Sequence, residues 1–432
     1  MKNIIYIFIG LLFVGCASKN IDYKVKEVSF YTPTWYLDFN QTVLNRLIDT
    51  ALKNNEDINI AVLSLRQAML KAGVAKADFF PTPSANAKAS TSRDISKDND
   101  WKNGFSSDFS LSYELDIYGK IFDNFESLSW DWASSNLNLA NLKLTIINSI
   151  TDTYFNILYI NDAIRNLKQN LVNLNELDRL VITKYELGKE EILSVRQSKQ
   201  NLLDLQNSLL TQQKNLQTSY EVLKNLTRSD ISLDDLSLSG VELRDISLDI
   251  KFDTLKNRPD INEAISSLNA GFYSYKVAQK NLYPSINIGA SLSDSDTKLS
   301  DSFGFNIIGG NLSIKLPFLD YARLSKQVKI SEAEFEKRVL TYEKTLSNAT
   351  NEVIKYKLYY DIDKQSYENL LSIVEQRVMI VGIYETKYAL GKAQLKDLLE
   401  AKNLLISAQN SLLNQKYRLL NDEIGYYKAI AW

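Results

Sequence analysis

Apolar and polar side chains alternate over residues 105–115: Phe105, Phe109, Leu111, Tyr113 and Leu115 are interleaved with Ser106, Asp108, Ser110, Ser112 and Glu114. A period of two sends alternate side chains to opposite faces, so this stretch predicts a strand with one apolar face. Ala85, Ala87 and Ala89 precede it in the same rhythm, giving a hairpin of about 83–93 and 104–117. A second hairpin is expected at about 285–295 and 303–317, where Gly309-Gly310 switches the phase between Phe303, Phe305, Ile307 and Leu312, Ile314, Leu316. A β-bulge at the glycine pair would produce that switch.

Elsewhere the period is seven. Leu202, Leu209, Leu216 and Leu223 recur at that spacing, as do Leu405, Leu412 and Leu419, with Leu205 and Leu226 at a second seam position. Coiled-coil packing gives this pattern; an ordinary core stripe gives it too, and length favours the coiled coil. Proline and glycine are costly inside helices, and neither occurs between Lys120 and Leu187 or between Phe318 and Val381. At about 1.5 Å per residue, roughly 65 residues make a rod of about 100 Å. The expected helices span about 40–80, 120–187, 190–227, 255–282, 320–390 and 393–430.

These elements come in two sets. A shift of 203 positions lays Thr183-Lys184-Tyr185-Glu186-Leu187-Gly188-Lys189 on Thr386-Lys387-Tyr388-Ala389-Leu390-Gly391-Lys392. The same shift lays Leu52-Lys53-Asn54-Asn55-Glu56-Asp57-Ile58 on Leu255-Lys256-Asn257-Arg258-Pro259-Asp260-Ile261, Pro81 on Pro284, and Gln206 to Leu210 on Gln409 to Leu413. The apolar strand positions Phe109, Leu111 and Tyr113 fall on Leu312, Ile314 and Leu316. One shift held over so much chain means duplication of half a protein. The halves are expected at 16–228 and 255–432, joined by a linker at 229–254.

Composition narrows the chemistry. With 432 residues, 45% hydrophobic, the chain can bury a large core, and a net charge of −2 without a basic block gives no nucleic-acid footprint. Histidine is absent and cysteine occurs once, which removes Ser-His-Asp and Cys-His triads, histidine metal sites, zinc-cysteine clusters and intrachain disulfides. No nucleotide-binding GxxxxGK[ST] loop is present, and no carboxylate pair stands out as an acid/base couple. No enzymatic activity, cofactor or metal is expected.

The lone cysteine has its own context. Lys2 is followed by the apolar run Ile4 to Leu12 and by Phe13-Val14-Gly15-Cys16. This reads as a lipoprotein signal over 1–15, cleaved before Cys16 with acylation of its thiol. The alternative, a transmembrane anchor, needs roughly 20 apolar residues. Phe13 stands where such signals usually carry Leu. Ala17 follows the cysteine where inner-membrane lipoproteins often carry Asp, and by that resemblance sorting to the outer membrane is expected.

Strands of this length with one apolar face suit a membrane barrel, but four of them leave two unpaired edges, which hydrocarbon does not tolerate. Closure has to come from other copies; a small sheet on a helical protein outside the membrane is the alternative. The signal, the duplicated helix–hairpin–long-helix halves, the stretch Leu255 to Ile261, Tyr283-Pro284 and the paired Tyr-x-Leu-Gly turns together resemble the TolC-like outer membrane efflux proteins, in particular the acylated multidrug-efflux branch that includes OprM. The resemblance covers nearly all of the mature chain. It implies a mainly α fold with a membrane β-barrel: a homotrimer with one twelve-stranded barrel in the outer membrane lipid and a coiled-coil periplasmic tunnel. It also implies a periplasmic adaptor (membrane fusion protein) and an inner-membrane pump of the resistance-nodulation-division type as partners.

By the same resemblance, Tyr185, Leu187, Gly188, Tyr388, Leu390 and Gly391 form the periplasmic tip turns that dock on the adaptor. Asp397 and Glu400, three residues apart and so on one helix face, would form acidic rings at the pore constriction. By the resemblance Tyr388 matches a gate tyrosine, but the arginine found two residues after the glycine in TolC itself is Ala393 here, which leaves the closed-state lock unassigned. The expected role is a passive conduit for drugs or other small molecules. A type I protein-secretion duct and a non-conducting structural envelope lipoprotein are the alternatives.

Overall fold

The computed structural model describes residues 33–96, 100–244 and 252–431; Cys16 and the signal segment ahead of it lie outside the described residues. In chain order the elements are α1 (Thr42–Asn54), α2 (Glu56–Ala77), β1 (Thr82–Ser92), β2 (Lys102–Leu115), α3 (Lys120–Glu186), α4 (Ile192–Thr227), α5 (Pro259–Lys280), β3 (Ser285–Asp296), β4 (Ile307–Lys315), α6 (Tyr321–Ala389) and α7 (Leu395–Ala429). They make a large helical bundle carrying one small sheet. The two long helices, α3 with 67 residues and α6 with 69, each extend about 100 Å.

Local chemistry sets where the helices begin. The Asp116 carboxylate accepts hydrogen bonds from the Ile121 and Phe122 amides at 2.9 Å, satisfying two orphan donors at the start of α3. A single helix over 40–80 is not what forms. The chain breaks at Asn55, which is extended (φ −67, ψ 126) and whose Oδ1 accepts from Asp57 N at 3.0 Å and Ile58 N at 3.2 Å, capping α2. Its repeat partner Arg258 has the same backbone (φ −66, ψ 127), and there Pro259 makes the break by starting α5.

The main core lies midway along the bundle. Leu44, Leu47, Ile48 and Ala51 form the buried stripe of α1, at the spacing of one helix face, and pack with Ile147, Ile150, Phe155 and Leu158 of α3 and with Leu233 and Leu238 of the linker. A smaller cluster joins Val353 and Tyr360 of α6 to Leu419 and Tyr426 of α7. Helix α3 contacts α1, α2, α4, α5 and α7, whereas α6 packs mainly on α5 and α7. That difference leaves Leu340, Leu358, Ile362, Met379 and Ile383 of α6 exposed in the single chain. Along α4 the seven-spaced Leu202 and Leu223 are buried and Leu209 and Leu216 half-buried, while the adjacent Leu203 and Leu210 are exposed.

All four strands form one antiparallel sheet in the order β1-β2-β3-β4, so the two hairpins join through β2 and β3. The expected bulge is absent: pairing runs unbroken from Ser293–Ile307 to Ser285–Lys315, with Gly309 opposite Ser291 and Gly310 opposite Ala290. The phase change needs no extra residue. Phe303 and Phe305 precede β4, where Phe305 takes a left-handed conformation (φ 49), and inside the ladder the consecutive Ile307 and Ile308 fall on opposite faces, Ile307 opposite Ser293 and Ile308 opposite Leu292. The strand occupies 307–315 instead of 303–317.

Candidate functional site

The sheet has two chemically distinct faces. On one, Phe109 sits opposite Ala85 and Leu292, Tyr113 opposite Ile288, and Ile288 opposite Leu312. On the other, Ser84 and Ser110 share a hydrogen bond of 2.8 Å, and Asn86 Nδ2 donates to Asp108 Oδ1 at 3.3 Å. Leu111, Ile288, Ile308, Leu312 and Ile314 of the apolar face are exposed in the single chain, and β1 and β4 each have a neighbour on one side only. Unpaired edges beside an exposed apolar face call for a further partner.

At the opposite end of the long helices lie two turns of matching geometry. Leu187 and Leu390 both have φ −83 and ψ 2, and Gly188 and Gly391 have φ 68 and 69. In the first turn Lys189 N donates to Lys184 O and Gly188 N to Tyr185 O, both at 2.8 Å; in the second Lys392 N donates to Lys387 O at 2.8 Å and Gly391 N to Tyr388 O at 3.0 Å. This paired bonding across a left-handed glycine is a Schellman motif, and it needs glycine for its backbone conformation. A Cβ at either glycine would meet no other atom within 4 Å, so the restriction is not one of space. Leu187 and Leu390 are each 64% exposed, uncovered apolar tips at both turns.

The two turns are tied together. Lys184 Nζ, in the last turn of α3, donates to Gln394 Oε1 at 2.8 Å, and farther up the same seam Asn166 Nδ2 donates to Asn410 Oδ1 at 2.7 Å. Gln394 is the N-cap of α7, where Asp397 Oδ2 accepts from its backbone N–H at 3.0 Å in a capping box. Asp397 therefore has a structural task beside its expected one. The spacing Gln394-x-x-Asp397 is the signal that would have revealed it. Glu400 is exposed and lies 3.9 Å from Lys396.

Nearer the core, α7 carries buried acids. Burial and the adjacent Asp363 carboxylate push Asp422 up to about 7. Burial also pushes Glu423 up to about 7, outweighing the attraction of Arg244, which bonds its carboxylate. In the fold both groups hold protons that an unfolded chain releases near pH 4. Their contribution to stability is complete below about pH 4 and fades as pH rises to about 7. The Asp422→Asn/Glu423→Gln variant is expected to lose less stability between pH 5 and pH 8 than wild type, measured by thermal unfolding at each pH; equal losses would contradict the assignment.

Comparison with known proteins gives this arrangement a setting. A family model described as outer membrane efflux protein matches residues 47–227 and 253–431. The chain is 27% identical over 446 aligned residues to Toxin and drug export protein A of Aggregatibacter actinomycetemcomitans, covering 100% of this chain and 97% of the relative. It is 26% identical to the pyoverdine export outer membrane protein OpmQ of Pseudomonas aeruginosa, covering 92% and 86% respectively. Among solved structures, the Campylobacter jejuni CmeC outer membrane channel superposes with a TM-score of 0.82 at 23% identity, covering 93% of this chain and 88% of that one, a likeness of fold.

Proposed function

The chain belongs to the outer membrane efflux protein family, and from that premise we propose that it is the outer-membrane channel of a tripartite exporter: a passive, homotrimeric conduit for drugs or other small molecules. The observation that carries this reading is the open, two-faced sheet continued by helices of about 100 Å. Three copies would supply twelve strands and remove every edge, turning the exposed apolar face to lipid and the serine-rich face to water. The long helices would carry the water-filled path across the periplasm. Energy would come from an inner-membrane pump of the resistance-nodulation-division type, passed on through a periplasmic adaptor.

On this reading the exposed turns Tyr185-x-Leu187-Gly188 and Tyr388-x-Leu390-Gly391 meet the adaptor, and an acyl chain on Cys16 anchors the protein as in the OprM-like branch. Asp397 and Glu400 give the constriction its negative charge. The test is single-channel conductance of the acylated protein in planar bilayers, wild type against Asp397→Asn/Glu400→Gln. The carboxamides remove the charges, while the one at the capping position keeps an oxygen for the start of α7. A cation-selective wild type whose selectivity falls in the variant is expected. Unchanged selectivity would discard the acidic constriction, and a trimer that conducts in neither form would discard the conduit. A second cargo class is favoured by one finding, the toxin named with the drug in the relative aligned over the whole chain; this keeps a secretion duct as the alternative.

A further inference from the structure

The seam between α3 and α7 is held by two rungs within one chain, Asn166–Asn410 at 2.7 Å and Lys184–Gln394 at 2.8 Å. The shift of 203 that relates the halves carries both rungs to new positions: Asn166 falls on Asn369, Asn410 on Asn207, Lys184 on Lys387 and Gln394 on Glu191. The side-chain chemistry survives the transfer. An amide again corresponds to an amide, and an ammonium again has an oxygen acceptor as its counterpart, now a carboxylate.

Within the single chain these second rungs have no means of forming. Asn369 and Lys387 lie on α6, Asn207 lies on α4 and Glu191 is the N-cap of α4, but no extended packing joins α6 to α4 as it joins α3 to α7. All four residues are exposed. Among the described residues their side chains make no hydrogen bond or ion pair, and Lys387 Nζ lies over its own helix's Tyr384 ring at 5.8 Å. Two matching half-seams, each complete in one respect and empty in the other, fit a second copy of this chain.

We propose that α6 of one chain lies along α4 of a second copy, with Asn369 bonded to the second copy's Asn207 and the Lys387 ammonium paired with its Glu191 carboxylate. The inference rests on the trimeric reading and adds its register. Around a closed ring of three chains, α3–α7 seams inside each chain would alternate with α6–α4 seams between chains. The tie nearest the tip would then differ in kind: a lysine on a neutral amide inside the chain, an ion pair between chains. An exposed ion pair adds little stability, but opposite charges across a rim select partner and register. Salt screens the between-chain tie more than the within-chain one, which makes the seam between copies the one that ionic strength loosens.

The experiment is disulfide trapping in the full acylated protein. Glu191→Cys/Lys387→Cys and, separately, Asn207→Cys/Asn369→Cys are oxidised in detergent, with each single-cysteine variant as control and native mass measured in parallel. Covalent trimers from both double variants, and none from the singles, are the expected result. A trimer by mass with neither pair trapped would overturn the proposed register while leaving the trimeric reading intact, whereas a monomer by mass would overturn both. Charge exchange supplies the second readout. Glu191→Lys should lower the yield of trimer trapped through Asn207→Cys/Asn369→Cys, and adding Lys387→Glu should restore it; no recovery would overturn the ion pair.

Discussion

Leu111→Arg should cost about 2–4 kcal/mol in each chain, the range for arginine at the middle of a barrel's lipid face, whereas Ser110→Arg should cost far less. The two positions are adjacent in β2 and point to opposite faces. Leu111 sits opposite Pro83 and Ala290, with Phe109 and Tyr113 beside it on the apolar face, while Ser110 sits opposite Ser84 and Ser291. In a closed trimer the cost falls three times on one barrel, enough to remove most of the stability of the inserted state. The check is the yield of heat-modifiable trimer after refolding into lipid vesicles, read on a gel for both variants. Comparable yields would mean that the apolar face does not meet lipid, and the membrane assignment of the sheet would fall.

The strength of that contrast comes from a pattern that was plain in the sequence. Strand faces are legible because a period of two survives whatever the strand packs against, so Phe109, Leu111 and Tyr113 announce their face before any partner is known. Long helices are equally legible from the stretches free of proline and glycine. What was hidden depends on single side chains choosing backbone partners. Asn55 breaks a helix without a proline, and Asp397 commits its carboxylate to the start of α7. Gly309-Gly310 gives no bulge for a related reason: glycine permits a bulge without requiring one, and the adjacent Ile307 and Ile308, on opposite faces of an unbroken ladder, account for the change of phase.

The acids around the core were illegible for a different reason. Tyr417 Oη donates to Asp152 Oδ1 at 2.8 Å across 265 positions of chain, and no helical period predicts which distant helix will present that carboxylate. The tip turns stood out because they were written twice, and the repeat proved to preserve φ and ψ as well as residue type. Duplication thus does more than mark the halves. It lets a contact seen in one half indicate where the other half has been rebuilt.

One such rebuilding lies where α6 crosses α7. A Cβ at Gly425 would stand 2.2 Å from Cε1 of Tyr356, closer than real side chains approach, so the ring occupies the space the glycine leaves. Helical glycine is less favourable than alanine by about 1 kcal/mol, a cost offset here by packing of the aromatic ring. The shift of 203 lays Tyr356 on Thr153 and Gly425 on Val222, so the first half has a smaller residue on the long helix and a larger one on the short helix. Gly425→Val alone should therefore lose about 1–3 kcal/mol through overpacking, while Gly425→Val/Tyr356→Thr should recover part of it, because the smaller side chain at 356 frees the space the valine takes. Thermal unfolding of the two single variants and the double closes the cycle, and the coupling should be favourable because the residues touch. A double variant with no more stability than the additive sum would show that the two helices are not held apart by this ring, and that the exchange of sizes between the halves is incidental.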